Sequence, residues 1–102
     1  MRKSGRNSAG LVAEEPFRVL VTATAQHCLR RLPEKIVGAC LEFIDGPLAA
    51  NPYRLGKPLQ RELAGYHSAR RGAYRVVYEI DDATRTVIVV RIDHRGDVYR
   101  SR

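Results

Sequence analysis

The chain has 102 residues and sets 18 Lys+Arg against 11 Asp+Glu, a formal charge of +7; that length holds one small domain and excludes an enzyme of two independently folded units. Hydrophobic residues make up 44% of it, enough for one modest core, and no apolar run approaches the roughly 20 residues of a membrane span. Fifteen of the cations are arginine and three, Lys3, Lys35 and Lys57, are lysine, a bias that suits bidentate phosphate recognition and equally suits a GC-rich genome, so the placement of the charges has to decide.

Residues 1–15 mix Ser, Gly, Arg and Asn without periodicity and read as a flexible tail, with the folded domain over 16–102. The tail's only apolar run, Leu11-Val12-Ala13, is too short for the core of a secretory signal, so a cytoplasmic protein is expected. Phe17, Val19 and Val21 alternate with Arg18, Leu20 and Thr22, the period of a strand with a buried face. Thr22 or Thr24 can cap the next element, where Ala25, Cys28, Leu29 and Leu32 share one helical face. Pro33 is tolerated at the first position of a second helix, and Glu34 complements its dipole. Ile36, Cys40, Phe43 and Ile44, with Val37 beside them, carry that helix to about Asp45. Gly46-Pro47 then ends or kinks it, with Leu48-Ala49-Ala50 available for a further turn. The pair makes an antiparallel αα-hairpin with a very short joint. Cys28 and Cys40 lack CxxC spacing and a neighbouring His/Cys cluster, so they read as structural thiols, not as a zinc site or disulfide framework.

Asn51-Pro52 and Gly56-Lys57-Pro58 are loop signals, and Leu59 with Leu63 is expected to anchor this connection on the core. After Gly65 the period changes to two. Tyr66 to Arg71 reads as a short strand, Gly72-Ala73 as a tight turn, Tyr74 to Ile80 as an alternating strand and Asp81-Asp82-Ala83-Thr84 as the next turn. Thr86 to Ile92 sets Val87 and Val89 against Ile88, Val90 and Ile92, the pattern of a central strand covered on both sides. The order β-αα-βββ predicts an α+β domain: a small, antiparallel-rich twisted sheet, completed by the first strand and packed against the αα-hairpin.

From Arg54 to Arg102 eleven cations face six acids, so this half carries five of the seven net charges. Arg75 and Glu79 share the strand face opposite Tyr74, Tyr78 and Ile80. Arg70 and Arg71 end the neighbouring strand, and His94, Arg95 and Tyr99 follow the last strand and can fold back over the same sheet. Clustered Arg with interleaved Tyr is how proteins hold a nucleic-acid backbone while stacking on bases. Arg75 admits a second reading, a strand residue paired with Glu79 or another acid nearby, and Tyr66, Tyr74 and Tyr78 read first as core or rim aromatics. Tyr99, among polar residues beyond the last strand, is harder to explain by packing.

Metal-free RNA cleavage needs a group to deprotonate the 2′-OH, cations to stabilise the phosphorane, and a donor for the departing 5′-oxygen. His94 can carry a proton near neutrality, and neighbouring cations favour its neutral form. Arg75, Arg95, Arg70 and Arg71 can hold the phosphate, and Tyr99 can stack on a base or share in proton transfer. The ordinary alternative for His94 is a solvated side chain at a strand edge. His67 lies in a strand whose facing the pattern leaves open, and His27 reads as a partly exposed helix residue. No metal constellation and no Gly-rich phosphate loop occurs, so no cofactor is expected.

Gly56-Lys57-Pro58-Leu59, Glu62-Leu63-Ala64-Gly65, Ser68-Ala69-Arg70-Arg71-Gly72, Tyr74-Arg75-Val76-Val77-Tyr78, Ile92-Asp93-His94-Arg95 and Val98-Tyr99, with Leu32-Pro33 before them, together resemble the RelE/ParE toxin superfamily. The likeness is greatest to the RelE-type toxins of mycobacterial and other actinobacterial type II toxin–antitoxin modules, and it spans nearly everything from Pro16 to Arg100. The resemblance implies a RelE-like fold, a RelB-like antitoxin that wraps the toxin, binding of operator DNA through that complex, and cleavage of mRNA in the ribosomal decoding site. It places Arg75 on the scissile phosphate, Arg95 at the phosphorane or leaving group, Tyr99 stacked on the substrate, and His94 where relatives have histidine or lysine. Lys57, Arg70 and Arg71 are the further substrate-binding residues. The best-known RelE toxin has lysines near Arg70 and Arg71, one of them thought to be its base; Ser68 stands near that position here. Two other readings remain open: a ParE-like inhibitor of DNA gyrase without nuclease activity, and a catalytically silent partner of an antitoxin in operator repression.

Overall fold

The structure, a computed structural model, describes residues 15–94. Strand β1 (Arg18–Val21) leads into helix α1 (Ala23–Arg30) and helix α2 (Glu34–Phe43). A short helix α3 (Pro52–Leu55) and a two-residue strand β2 (Lys57–Pro58) precede β3 (Tyr66–Arg71), β4 (Tyr74–Asp81) and β5 (Thr86–His94). The five strands form one mixed sheet in the order β1-β5-β4-β3-β2. β1 runs parallel to β5, and the remaining neighbours are antiparallel. The expected β-αα-βββ order therefore stands, with β2 as an added edge strand inside a stretch that reads as loop.

The helices form where their apolar stripes and caps predict. Thr22 is the N-cap of α1, its hydroxyl accepting from the Ala25 amide at 3.2 Å. Pro33 stands one position earlier than expected, as the N-cap of α2, and its carbonyl accepts from the Ile36 and Val37 amides. Pro47 does not end the helical path. Ile44–Leu48 widens into a π-helical turn around it, which accommodates a residue without an N–H whose ring would clash inside an α-helix. Burial of Ile44, Leu48 and Ala49 holds that turn on the core.

One face of the sheet is the inner wall of the core. Tyr74, Val76 and Tyr78 of β4 and Val87, Val89 and Ile92 of β5 are buried there with Ala25, Leu32, Cys40 and Phe43 of the helical layer. The Tyr78 hydroxyl donates to the Pro52 carbonyl at 2.6 Å, which pins α3 to the sheet. At the β3–β4 turn Gly72 has φ +62° and Ala73 a negative φ, as in a two-residue turn that needs glycine at its first central position.

Three expectations change. Leu63 is 50% exposed and anchors nothing in the core. The outer face of β5 is not covered, since Ile88 and Val90 are only half-buried within this chain. Ile92 lies on the buried face with Val87 and Val89, not with Ile88 and Val90, because the β4–β5 register shifts at Val77/Tyr78. Tyr78 pairs with Val89 and Val77 with Arg91, which leaves Val90 as the extra residue of a β-bulge.

Candidate functional site

The bulge decides which side chains of β5 reach the open face of the sheet. Strict alternation would put Arg91 beside Val87 and Val89, in the core; the extra residue at Val90 turns it outward instead. Paired residues of an antiparallel ladder point to the same face, so the register lists the open face in rows. One row is Arg70, Arg75 and Asp93; the next is Lys57, Ser68, Val77 and Arg91.

Between these rows lies a groove of about 410 Å³ whose lining includes Ser68, Arg75, Val77, Arg91 and Asp93, closed at one side by Leu59 and Leu63. Leu63 thus belongs to the groove wall. Arg70 and Arg75 sit directly across from each other, a like-charge pairing that destabilises a sheet. Among the described residues Arg75 forms no ion pair, with Glu79 or any other acid; the ion pair on this face joins Arg91 Nε to Asp93 Oδ1 at 2.8 Å. The structural reading of Arg75 as half of a pair with Glu79 is accordingly removed.

The expected site residues divide between the two faces. Lys57, Arg70 and Arg75 come together on the open face. Arg71 pairs in register with Tyr74 and lies over the Phe43 ring, 5.0 Å from its centroid, on the helical side. There it lines a different groove, of about 530 Å³, with Ile36, Glu42 and Phe43. His94 is the last residue of β5, not beyond it, and pairs in register with Tyr74. The bulge has moved it to the face opposite Arg75. Arg95 and Tyr99 lie outside the described residues.

The other titratable groups have structural surroundings. His67, whose facing the sequence leaves open, points to the helical side, stacked on Tyr78 with centroids 5.6 Å apart and meeting Tyr53 edge-on at 5.8 Å. His27 is exposed on α1. Burial pushes the Cys40 thiol up to about 11 and the Tyr78 hydroxyl up to about 12, so both stay neutral in the core. Tyr74 is raised by burial and by Cys40, and Arg71 opposes that. Among the described residues no group of three His, Cys, Asp or Glu is placed to hold a metal ion, and no helix is long and apolar enough to cross a membrane.

Arg91 is the residue that pattern reading misses. Its signal is the spacing of the buried residues Val87, Val89 and Ile92, where a step of three interrupts steps of two.

A five-stranded mixed sheet with its helical layer on one face and a cationic groove on the other defines a RelE-like α+β toxin fold. The family model described as ParE toxin of type II toxin-antitoxin system, parDE, matches residues 19–99, and the chain belongs to that family. It is 56% identical to Toxin RelE of Mycobacterium tuberculosis over 87 residues, covering 85% of this chain and 90% of that protein. Toxin RelG of the same organism is 53% identical over 85 residues, 83% of this chain and 98% of RelG. Among solved structures, the toxin–antitoxin complex RelBE2 from M. tuberculosis superposes with a TM-score of 0.78 at 52% identity, over 80% of this chain and 94% of the matched one.

Proposed function

We propose that the chain is a ribosome-dependent mRNA endonuclease that acts without a metal and stops translation in the cytoplasm. The observation that carries this reading is the pair of cations Arg70 and Arg75, directly opposed on an open sheet face with no acid bound to Arg75 among the described residues. Such an arrangement is unfavourable in isolation and becomes favourable when a polyanion lies across it. In the reaction the 2′-oxygen of the substrate attacks the adjacent phosphorus and the bond from phosphorus to the 5′-oxygen breaks. The 2′ proton leaves to a base and the 5′-oxygen takes one up, which yields a 2′,3′-cyclic phosphate and a 5′-hydroxyl. Arg75 holds the scissile phosphate and gains strength as charge builds on the phosphorane, while Arg70 and Lys57 hold the flanking backbone. Proton transfer and stacking fall to Arg95 and Tyr99, which follow β5 in the chain, and His94 enters that chemistry only if the end of β5 turns it toward Arg75.

A RelB-like antitoxin is the partner this reading implies, since relatives of the fold are solved as toxin–antitoxin complexes; the half-buried Ile88 and Val90 and the exposed Leu20 offer it apolar surface. Operator binding would follow through that complex. Expression of the chain alone, followed by mapping of mRNA ends, tests the function: cuts confined to translated reading frames support it, and intact transcripts refute it.

One observation favours a second reading. His94 lies across from Tyr74, on the face opposite Arg75, so the proton carrier expected beside the phosphate is turned away. A ParE-like inhibitor of DNA gyrase needs no such carrier, and loss of supercoiling activity with untouched mRNA would establish it.

A further inference from the structure

The ion pair between Arg91 and Asp93 has no evident stabilising purpose. The Arg91 side chain is 64% exposed and that of Asp93 27%, and pairs of this kind contribute about 0–1 kcal/mol to stability. Its position is more telling. Asp93 is the one acid lining a groove that also holds Arg75 and Arg91, and it is the Cα partner of Arg75 across the ladder. Two arginines flank Asp93, Arg75 as its partner across the ladder and Arg91 on its own strand, and its Oδ1 accepts from Arg91 Nε. Nε is the inner nitrogen of the guanidinium, so the contact fixes the direction of the side chain and leaves the two terminal nitrogens to donate elsewhere.

We propose that Asp93 is a positioning residue that holds the Arg91 guanidinium over the open groove, where Arg91 binds a second backbone phosphate of the RNA strand whose neighbouring phosphate is held by Arg75. The bulge at Val90 is the backbone device that makes this possible, since without the extra residue Arg91 would face the core. Arg91 and Arg75 are diagonal neighbours on β5 and β4, roughly 7–8 Å apart at the backbone, so two cations present themselves side by side along the groove. The inference rests on the RNA-binding reading above and deepens it by assigning a further phosphate subsite. An acid inside an anion-binding groove is thereby explained: its cost in net charge is offset by a long side chain that no longer has to be ordered when RNA binds.

The test turns on the sign of one effect. Binding of a fluorescent single-stranded RNA oligonucleotide is measured by anisotropy over a range of salt, with the full chain and its variants. Arg91→Ala is expected to weaken binding and to lower the salt dependence by about 0.7 in log K against log salt, the loss of one phosphate contact. Asp93→Ala removes a negative charge from a basic groove, which by charge alone tightens binding. The positioning role predicts the reverse, about two- to tenfold weaker binding, the effect of leaving one long side chain to be ordered. In the Arg91→Ala background the same Asp93→Ala change is expected to tighten binding, because only the charge then matters. Asp93→Asn keeps an acceptor for Nε and is expected to bind more tightly than Asp93→Ala. Wild-type binding with Asp93→Ala tighter in both backgrounds, or with Arg91→Ala unchanged, overturns the inference and leaves the RNA-binding reading standing. No binding by the wild-type chain also overturns the inference, whereas the cleavage reading itself falls only with intact transcripts on the ribosome.

Discussion

Gly56→Ala probes the joint that carries Lys57 to the open face. Gly56 has φ −119° and ψ 172°, extended backbone that alanine adopts freely, so any effect arises from space alone. A Cβ at this position overlaps the Tyr78 hydroxyl and falls 2.9 Å from Tyr78 Cζ and 3.1 Å from the Ser68 carbonyl oxygen. Tyr78 is fully buried and cannot swing aside, and the Ser68 carbonyl belongs to β3. The strain is relieved only by lifting the segment at Gly56 off the sheet, which breaks the bond from Tyr78 to the Pro52 carbonyl. Overpacking costs about 1–3 kcal/mol, and a buried partner left unsatisfied about 1–3 kcal/mol more. The expected loss is therefore about 2–6 kcal/mol, or a fall in Tm of at least about 8 °C for a domain of this size. Urea and thermal unfolding measure it. Tyr78→Phe removes the overlapping oxygen, so the double variant Gly56→Ala/Tyr78→Phe should be more stable than the sum of the single losses predicts. A Gly56→Ala protein within about 0.5 kcal/mol of wild type, or strict additivity in the double variant, refutes the reasoning.

Three further outcomes are expected. Arg75→Ala lowers mRNA cleavage by about 10²–10³-fold, the usual cost of one transition-state donor, and leaves the unfolding free energy within about 0.5 kcal/mol because the side chain is exposed; equal loss of activity and stability would point to misfolding instead. Alkali should destabilise the fold through Cys40, raised by burial from 9.0 to about 11: the contribution is intact below about pH 9, where both states keep the proton, and is lost between 9 and 11 as the unfolded chain alone releases it, about 3 kcal/mol in all. Tyr78, raised from 10.0 to about 12, adds to that loss above pH 10, and an unchanged urea midpoint near pH 10.5 would contradict both assignments. At about pH 8 a thiol reagent should modify Cys28, which is half-buried, and spare Cys40, which is buried; modification of both thiols in the folded chain would count against this core.

Much of the fold is legible in the sequence because its signals are local. The apolar face of Ala25, Cys28, Leu29 and Leu32, the cap at Thr22 and the alternation of Tyr74, Arg75, Val76, Val77 and Tyr78 each follow from one period of one element. The differences arise where a single residue changes the period. Val90 inserts a bulge, and everything after it, Arg91, Ile92, Asp93 and His94, changes face. Pro47 reads as a stop or a kink with a further turn available after it, and the path does continue, because the widened turn at Ile44–Leu48 absorbs the proline while Ile44 and Leu48 stay in the core. Lys57 and Pro58 read as loop, since a two-residue edge strand has no period of its own; β3 supplies the pairing. The candidate site inherits this division. Lys57, Arg70 and Arg75 share the open face, Arg71 and His94 lie on the other face, and Arg91 enters only through the bulge.

Incubation of the purified chain with ribosomes programmed by a defined mRNA, and with the same mRNA free in solution, tests the central claim most directly. Cuts are expected only on the ribosome, ending in a 2′,3′-cyclic phosphate and a 5′-hydroxyl, and lowered about 10²–10³-fold by Arg75→Ala. Intact mRNA on the ribosome, with DNA supercoiling by gyrase inhibited by the same preparation, would contradict it.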